Sequence, residues 1–252
     1  IDGGGSVRAV KGGGWDYHDL WIDPANSARL IVGSDAGVSL SRDGGATWLR
    51  PPIPITQFYR VTVDSRMPYR VLGSVQDLGT VSGPSNSLHG DGILLSDWHS
   101  VGGGEAGHVV ADPSDPDIVW AGEYQAFISR WDGRTGQAPH VGIYPVDGDG
   151  HGAADLRHRF QWTAPILVSP HDPKVVYHAA ERLFRTDDGG QSWRAVSPDL
   201  TRNDVAKQGW SGGPITGDNT GVEIYGTIFA VAESPLEPGL IWAGTDDGLV
   251  HV

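Results

Sequence analysis

Five segments of this 252-residue chain repeat one plan: an apolar run, a turn rich in Asp, Ser and Pro, then a second apolar run that ends in small residues. They read DLWIDPANSARLIVGSDAG, YRVTVDSRMPYRVLGSVQDLG, HVVADPSDPDIVWAGEYQAF, PILVSPHDPKVVYHAAERLF and FAVAESPLEPGLIWAGTDDGL. Anchored on the first turn residue, they fall at Asp23, Asp64, Asp112, Ser169 and Ser234, at intervals of 41, 48, 57 and 65. Short β-branched runs joined by Asp-Pro or Ser-Pro are hairpins. Proline sits in the turns and not inside the runs, as a hydrogen-bonded ladder requires. No long apolar pattern has a period of 3.6, so the chain is expected to be all-β with very little helix. The longer intervals come from insertions at 131–160 and 197–222, which read as loops.

Composition narrows the function classes. Lys and Arg total 18 against 31 Asp and Glu, a net charge of −13. That excludes binding to a nucleic-acid backbone, which needs clustered cations. The 37 glycines and 17 prolines are spread along the chain, which favours many short strands over one disordered tract. Cysteine is absent, which excludes disulfides and thiolate chemistry. No apolar run reaches the length of about 20 residues that spans a bilayer.

In the first and fourth repeats the second run leads into a polar turn that ends on tryptophan: SRDGGATW at 41–48 and TDDGGQSW at 186–193. Glycines supply positive φ, the aspartate caps backbone N–H groups and the hydroxyl closes the turn. Trp48 and Trp193 are then expected to pack between neighbouring sheets. Ser41, Asp43, Gly45, Thr47 and Trp48 match the Asp-box, or BNR repeat; Thr186, Asp188, Gly190, Ser192 and Trp193 match it with conservative exchanges. The chain thus resembles Asp-box β-propellers, in which this motif joins the third and fourth strands of a blade. The resemblance implies an architectural role for these aspartates. It also implies a partial propeller of about five blades over residues 1–252, with both ends inside blades. The remaining blades, or a second propeller, would come from the rest of a larger protein.

Four further stretches, GSVQDLGTVSGPS, RFQWTAPILVSPHDP, LFRTDDGGQSW and SPDLTRND, resemble large exported bacterial proteins with sortilin-like and glycosyl-hydrolase-like propellers. That implies a secreted or periplasmic protein, glycoside hydrolase-like and acting on or binding a polysaccharide, with a non-catalytic, sortilin-like module for a peptide or glycan as the alternative. In xyloglucan-cleaving relatives an aspartate in T-D-x-G-G acts as general base. GSDAG at 33–37 is similar, without the second glycine, and carries that role onto Asp35. Sialidases also bear Asp-boxes, but they need three arginines on inner strands, where this chain offers essentially Arg60.

Ligands of propellers bind where inner strands begin and second strands end. Mapped onto the repeats, that face collects Tyr17, His18 and Asp19; Gln57, Tyr59 and Arg60; Glu105 and His108; Gln161 and Trp162; Glu223 and Tyr225. Loops after the second strands add Asp35, Gln76, Asp77, Glu123, Gln125, Glu181, Asp246 and Asp247. Acids beside aromatic platforms suit a sugar chain, and glycoside hydrolysis needs two carboxyl groups. Asp35 and Asp77 are the first candidates for catalysis. His18, Asp19, Tyr59, Arg60, Glu105, His108 and Trp162 are the candidates for binding. No cofactor or metal is implied. DGDGHGAAD at 147–155 opens like a calcium loop, but Leu156 stands where an EF-hand loop has its Glu, so the segment reads as structural. His89, His99 and His108 lie within twenty residues without a ligand motif. KGGGW and VGGGE precede strands and not helices, which argues against a phosphate loop.

Overall fold

The computed structural model describes residues 5–7, 9–51, 56–144, 147–221 and 224–252. These residues form five antiparallel sheets. The first holds β1 (Tyr17–Ile22), β2 (Leu30–Ser34) and β3 (Gly37–Ser41); the second holds β4 (Phe58–Val63), β5 (Arg70–Val75), β6 (Gly79–Pro84) and β7 (His99–Ser100). The third holds β8 (Val109–Ala111), β9 (Ile118–Gly122) and β10 (Ile128–Asp132). The fourth holds β11 (Ile166–Val168), β12 (Val176–Ala179), β13 (Leu183–Thr186) and β14 (Arg194–Ala195); the fifth holds β15 (Ile228–Glu233), β16 (Ile241–Thr245) and β17 (Val250–His251). Helix among the described residues is confined to three single 3-10 turns. The chain divides into two compact units, residues 1–56 with the first sheet and residues 57–252 with the other four.

Each anchor residue directly follows the first strand of its sheet, and all five turns are built alike. The anchor N–H donates to the carbonyl six residues on: Asp23 to Arg29, Asp64 to Arg70, Asp112 to Ile118, Ser169 to Val175 and Ser234 to Leu240, at 2.8–3.1 Å. Its side-chain oxygen accepts from the N–H two residues on, in Ala25, Arg66, Ser114, His171 and Leu236. This local bond is why Asp or Ser recurs at the position. Neighbouring turns are also tied together within the larger unit. Arg66 bridges Asp64 and Asp117, and the His171 ring meets the Ser234 carbonyl at 2.7 Å.

In the larger unit β4 lies beside β8, β8 beside β11, and β11 beside β15. The sheets therefore meet face to face through three cores. Leu72 packs with Val109, Val119 and Ala121 between the second and third sheets. Ile118, Trp120 and Ile128 meet Ile166, Val168 and Val176 between the third and fourth. Val175, Tyr177, Ala179 and Leu183 meet Ile228 and Ala243 between the fourth and fifth. Strands buried on both faces read as continuous apolar runs, which explains IVWAG and VVYHA. The residue eight positions after the anchor fills the interface to the following sheet. Leu72, Trp120 and Tyr177 are 1%, 2% and 6% exposed there, whereas Trp242 of the fifth sheet is 51% exposed.

The two Asp-box turns match bond for bond. Ser41 and Thr186 donate to Asp43 and Asp188 and accept from the N–H of Gly45 and Gly190. Thr47 and Ser192 each give an N–H and a hydroxyl bond to the same aspartates, the hydroxyl bonds at 2.6 Å. Those hydroxyl bonds, first among the causes, hold both carboxyls down at about 2. A Cβ on Gly45 would stand 2.6 Å from Val10, and one on Gly190 2.7 Å from Val141, so both turns press on a valine of an earlier segment. Trp193 lies between the third and fourth sheets, edge-on to Trp120 at 6.4 Å. Trp48 instead rests on Gly12 and Gly13, ahead of β1. The insertion at 131–160 is not all loop. It opens with a hairpin in which Gln137 and His140 bridge Asp132 and Ser129, adding a fourth segment to the third sheet.

Candidate functional site

The first strands carry a shared irregularity. A register shift leaves one extra residue in β1, β4 and β15, and that residue is His18, Tyr59 and Phe229. Each stands five positions before its anchor. A bulge re-aims a side chain out of the regular alternation, and two of the three bulged residues are predicted site residues.

In the larger unit the Tyr59 ring lies 6.3 Å from Trp162, tilted by 56°. Trp162 sits in a turn fixed by buried Gln161, whose amide bonds to both the N–H and the hydroxyl of Thr163 at 3.0 and 2.9 Å. Arg60 reaches the same hydroxyl at 3.4 Å. On Trp162 lies Tyr124, stacked at 5.0 Å with an interplanar angle of 3°. The three rings form one aromatic wall.

A line of carboxylates runs up to this wall. Asp77, in the left-handed region at φ 61°, donates its N–H to Glu105 at 2.8 Å. The Gln76 amide bonds to both Asp77 and Glu105, at 3.0 and 3.1 Å. The Glu105 N–H donates to Glu123 at 3.0 Å, and the other Glu123 oxygen accepts the Tyr124 N–H at 2.8 Å. Burial pushes the Glu123 carboxyl up, and the charge of Glu105 adds to the shift. Gly104 makes room for it, since a Cβ there would lie 0.9 Å from a Glu123 oxygen. That close approach gives VGGGE its structural meaning. In the smaller unit KGGGW plays a similar part, because a Cβ on Gly14 would stand 2.3 Å from Ser34.

The same device closes the next two sheets. Glu181 accepts from the Arg159 N–H at 2.9 Å and from His158 at 3.0 Å. Burial opposes its charge, but these bonds outweigh burial and hold the carboxyl below its ordinary value. Asp246 accepts from the N–H groups of Gly226 and Thr227. These two acids hold strand ends together. Asp247 bonds to Arg202, and Gln125 ties Asp149 of the 147–155 segment at 2.7 Å.

The fold therefore brings Asp77, Tyr59, Arg60, Glu105 and Trp162 into one neighbourhood, and His108 borders it. Burial, then the charge of Arg60, lowers the His108 ring to about 4. His18, Asp19 and Asp35 belong to the smaller unit. There His18 is hydrogen-bonded to Asp35, which raises its pKa, and Asp19 accepts the N–H of Leu20 at 2.8 Å. Glu223 lies outside the described residues. Sequence reasoning missed Tyr124 and Thr163. The aromatic in GEYQAF was the available signal for the first; nothing marked the second.

His108 and His178 imply an acid-sensitive fold. Burial also lowers buried His178 to about 4. A ring whose folded pKa lies below its unfolded value of about 6.5 stabilises the fold above that pH and loses the contribution as pH falls to about 4. Denaturation midpoints should be level from pH 8 to 7 and drop between 6.5 and 4. His108→Gln should shrink that drop, and a midpoint independent of pH over this range would contradict the assignment.

No protein-family profile matches the chain, and no curated protein matches it. Among solved structures it is similar to the GH74 enzyme of Niastella koreensis, at 14% identity and a TM-score of 0.38, over 73% of this chain and 29% of that one. It is similar to an auxiliary nutrient binding protein from Bacteroides thetaiotaomicron, at 12% identity and a TM-score of 0.42, over 95% and 57%. A third is an ancestral GH74 enzyme, at 17% identity and a TM-score of 0.39, over 94% and 33%. The chain thus spans less than two thirds of each of these proteins. Likenesses of this size carry no statement about activity. No helix among the described residues is long and apolar enough to cross a membrane.

Proposed function

We propose that the larger unit binds a polysaccharide at the aromatic wall of Tyr59, Trp162 and Tyr124. The observation that carries this reading is the wall's junction with the carboxylate line of Asp77, Glu105 and Glu123. Pyranose rings present C–H faces that pack on aromatic rings, while carboxylates accept sugar hydroxyls. Convergent polar groups beside an apolar surface are what a binding site needs. Side-by-side succession of β4, β8, β11 and β15 supports reading the sheets as propeller blades with these strands innermost. Further blades would come from another segment or subunit of an exported protein.

Binding is preferred to hydrolysis because both Glu123 oxygens and one Glu105 oxygen are engaged by backbone N–H groups. The raised pKa of Glu123 favours the hydrolase-like alternative, in which it donates a proton and Asp77 serves as the second acid.

Soluble polysaccharides screened for binding and for reducing-end release test both readings. Trp162→Ala should weaken binding about fivefold, the loss of one stacking platform of about 1 kcal/mol. Gly104→Ala should weaken it too, by evicting the Glu123 carboxylate without changing charge. Release abolished by Asp77→Asn would support the hydrolase reading of the larger unit, and Asp35→Asn tests the smaller unit by itself. Retention of every bound polysaccharide at full strength by Trp162→Ala would sink the site altogether.

A further inference from the structure

Arginine and lysine side chains of the larger unit are almost all engaged by carboxylates, carbonyls, hydroxyls or rings. Among its described residues the exceptions are Arg130 and Lys174. The two line one cleft of about 450 Å³ between the third and fourth sheets, with Trp120 on its inner side and the second Asp-box turn at its rim. That volume is in the range of small-molecule sites.

Register explains why Arg130 is open. Arg130 faces Trp120 across β10 and β9, and Arg185 faces Tyr177 at the matching place of the fourth sheet. Each arginine has an aspartate two residues on. Arg185 pairs with its own, Asp187, at 2.6 Å. In the third sheet Arg134 takes Asp132 instead, with Nε on one oxygen at 2.9 Å and a terminal nitrogen on the other at 3.1 Å. Arg130 lies along the Asp-box turn, its Nε 3.7 Å from where a Cβ on Gly189 would stand.

Three aspartates also line the cleft, and each has partners of its own. Asp188 is held by the donors of its turn, Thr186 and Ser192. Asp187 sits between Arg185 and, at 3.9 Å, Arg194. Asp112 accepts the N–H and the hydroxyl of Ser114 through one oxygen, at 2.8 and 2.7 Å. Its second oxygen has no partner among the described residues. With Arg185 and Arg194 included, four cations stand here with three carboxylates, in a chain whose net charge is −13.

We propose that this cleft binds an acidic sugar residue, a hexuronate, whose carboxylate sits between Arg130 and Lys174. An arginine fork and a lysine point charge are donors suited to an oxyanion. The ring hydroxyls meet the second oxygen of Asp112 and the Gln191 amide, which lines the same cleft. That mixture favours a sugar over an acidic peptide. A peptide of several carboxylates brings no hydroxyl donors, and Asp112, Asp187 and Asp188 repel its further charges. The cleft shares no residue with the aromatic wall, so the inference stands apart from the polysaccharide reading.

The test titrates the full chain with methyl glucuronoside, beside methyl glucoside, inorganic sulfate and a tri-aspartate peptide, and follows backbone amide signals. Saturable shifts at Gly189 and Gln191 are expected with the glucuronoside and not with the glucoside. Neither Arg130 nor Lys174 is buried, so Arg130→Gln and Lys174→Gln should fold, as circular dichroism can verify. Each should weaken binding about tenfold, the loss of one charge-assisted hydrogen bond. Trp162→Ala should leave the affinity unchanged. Equal binding of the glucoside, full affinity in both glutamine variants, or no saturation at tens of millimolar overturns the proposal. So does sulfate or the peptide binding as tightly as the glucuronoside, since the cleft would then hold a bare anion or an acidic peptide. Binding lost in Trp162→Ala alone would put the sugar on the aromatic wall instead, and would overturn this site without touching that one.

Discussion

Trp120→Ala is expected to cost about 3–5 kcal/mol of stability, the range for emptying a buried tryptophan site. Trp120 is 2% exposed and stands in the core that joins the third sheet to the fourth. Its removal takes away the surface on which Trp193 leans and leaves Ile118, Ile128 and Val176 facing a void. Trp193 is anchored separately through its bond to Val141, which limits collapse into the space. A loss near the upper end of the range is therefore expected. Trp242→Ala, at the corresponding but half-exposed position, should cost far less. Denaturant midpoints of the two variants measure the contrast, and equal losses would mean that the difference in burial between these tryptophans is wrong.

Gly107→Ala should be nearly as damaging, for a different reason. A Cβ there would stand 2.0 Å from the backbone carbon of Gly122. Backbone cannot swing aside as a side chain can, so the segment entering β8 must lift off the end of β9. That separation strains the Gly122–His108 bond of 2.8 Å and the Glu105–Glu123 bond beside it. A loss of about 3 kcal/mol or more is expected, in the class of backbone effects that exceed ordinary surface changes. Gly90→Ala is the control, because a Cβ there meets nothing within 4 Å. If the two alanines unfold at the same denaturant concentration, the close approach is not real.

The contrast between those glycines also explains what could be read from residues alone. All five hairpin turns were legible because Asp or Ser makes its bond two residues on, within the turn itself. The Asp-boxes were legible for the same reason. The proximity of Tyr59, Arg60, Glu105 and Trp162 was legible because their distance from an anchor set them at the entrance of a first strand. Tyr124 was missed because its role depends on a ring from another sheet, and no local pattern records that meeting. The bulges at His18, Tyr59 and Phe229 were invisible, since a register shift belongs to the pairing of two strands. The fourth segment of the third sheet stayed hidden in 131–160 because Pro139 and His140 lack the apolar signature of a strand.

The constant six-residue reach of the anchor bond acts as a reading frame. Spacing between anchors varies from 41 to 65 residues, yet the hairpin turn never changes length. A strand's side chains alternate between two faces, so one residue gained or lost in that turn would send every inward group outward. Leu72, Trp120 and Tyr177 would each then address the wrong neighbour. Connections between repeats carry no such parity, which leaves them as the places where length can drift. An inserted epitope tag should accordingly be silent at 213–216, and a single inserted glycine between Asp112 and Ile118 should not.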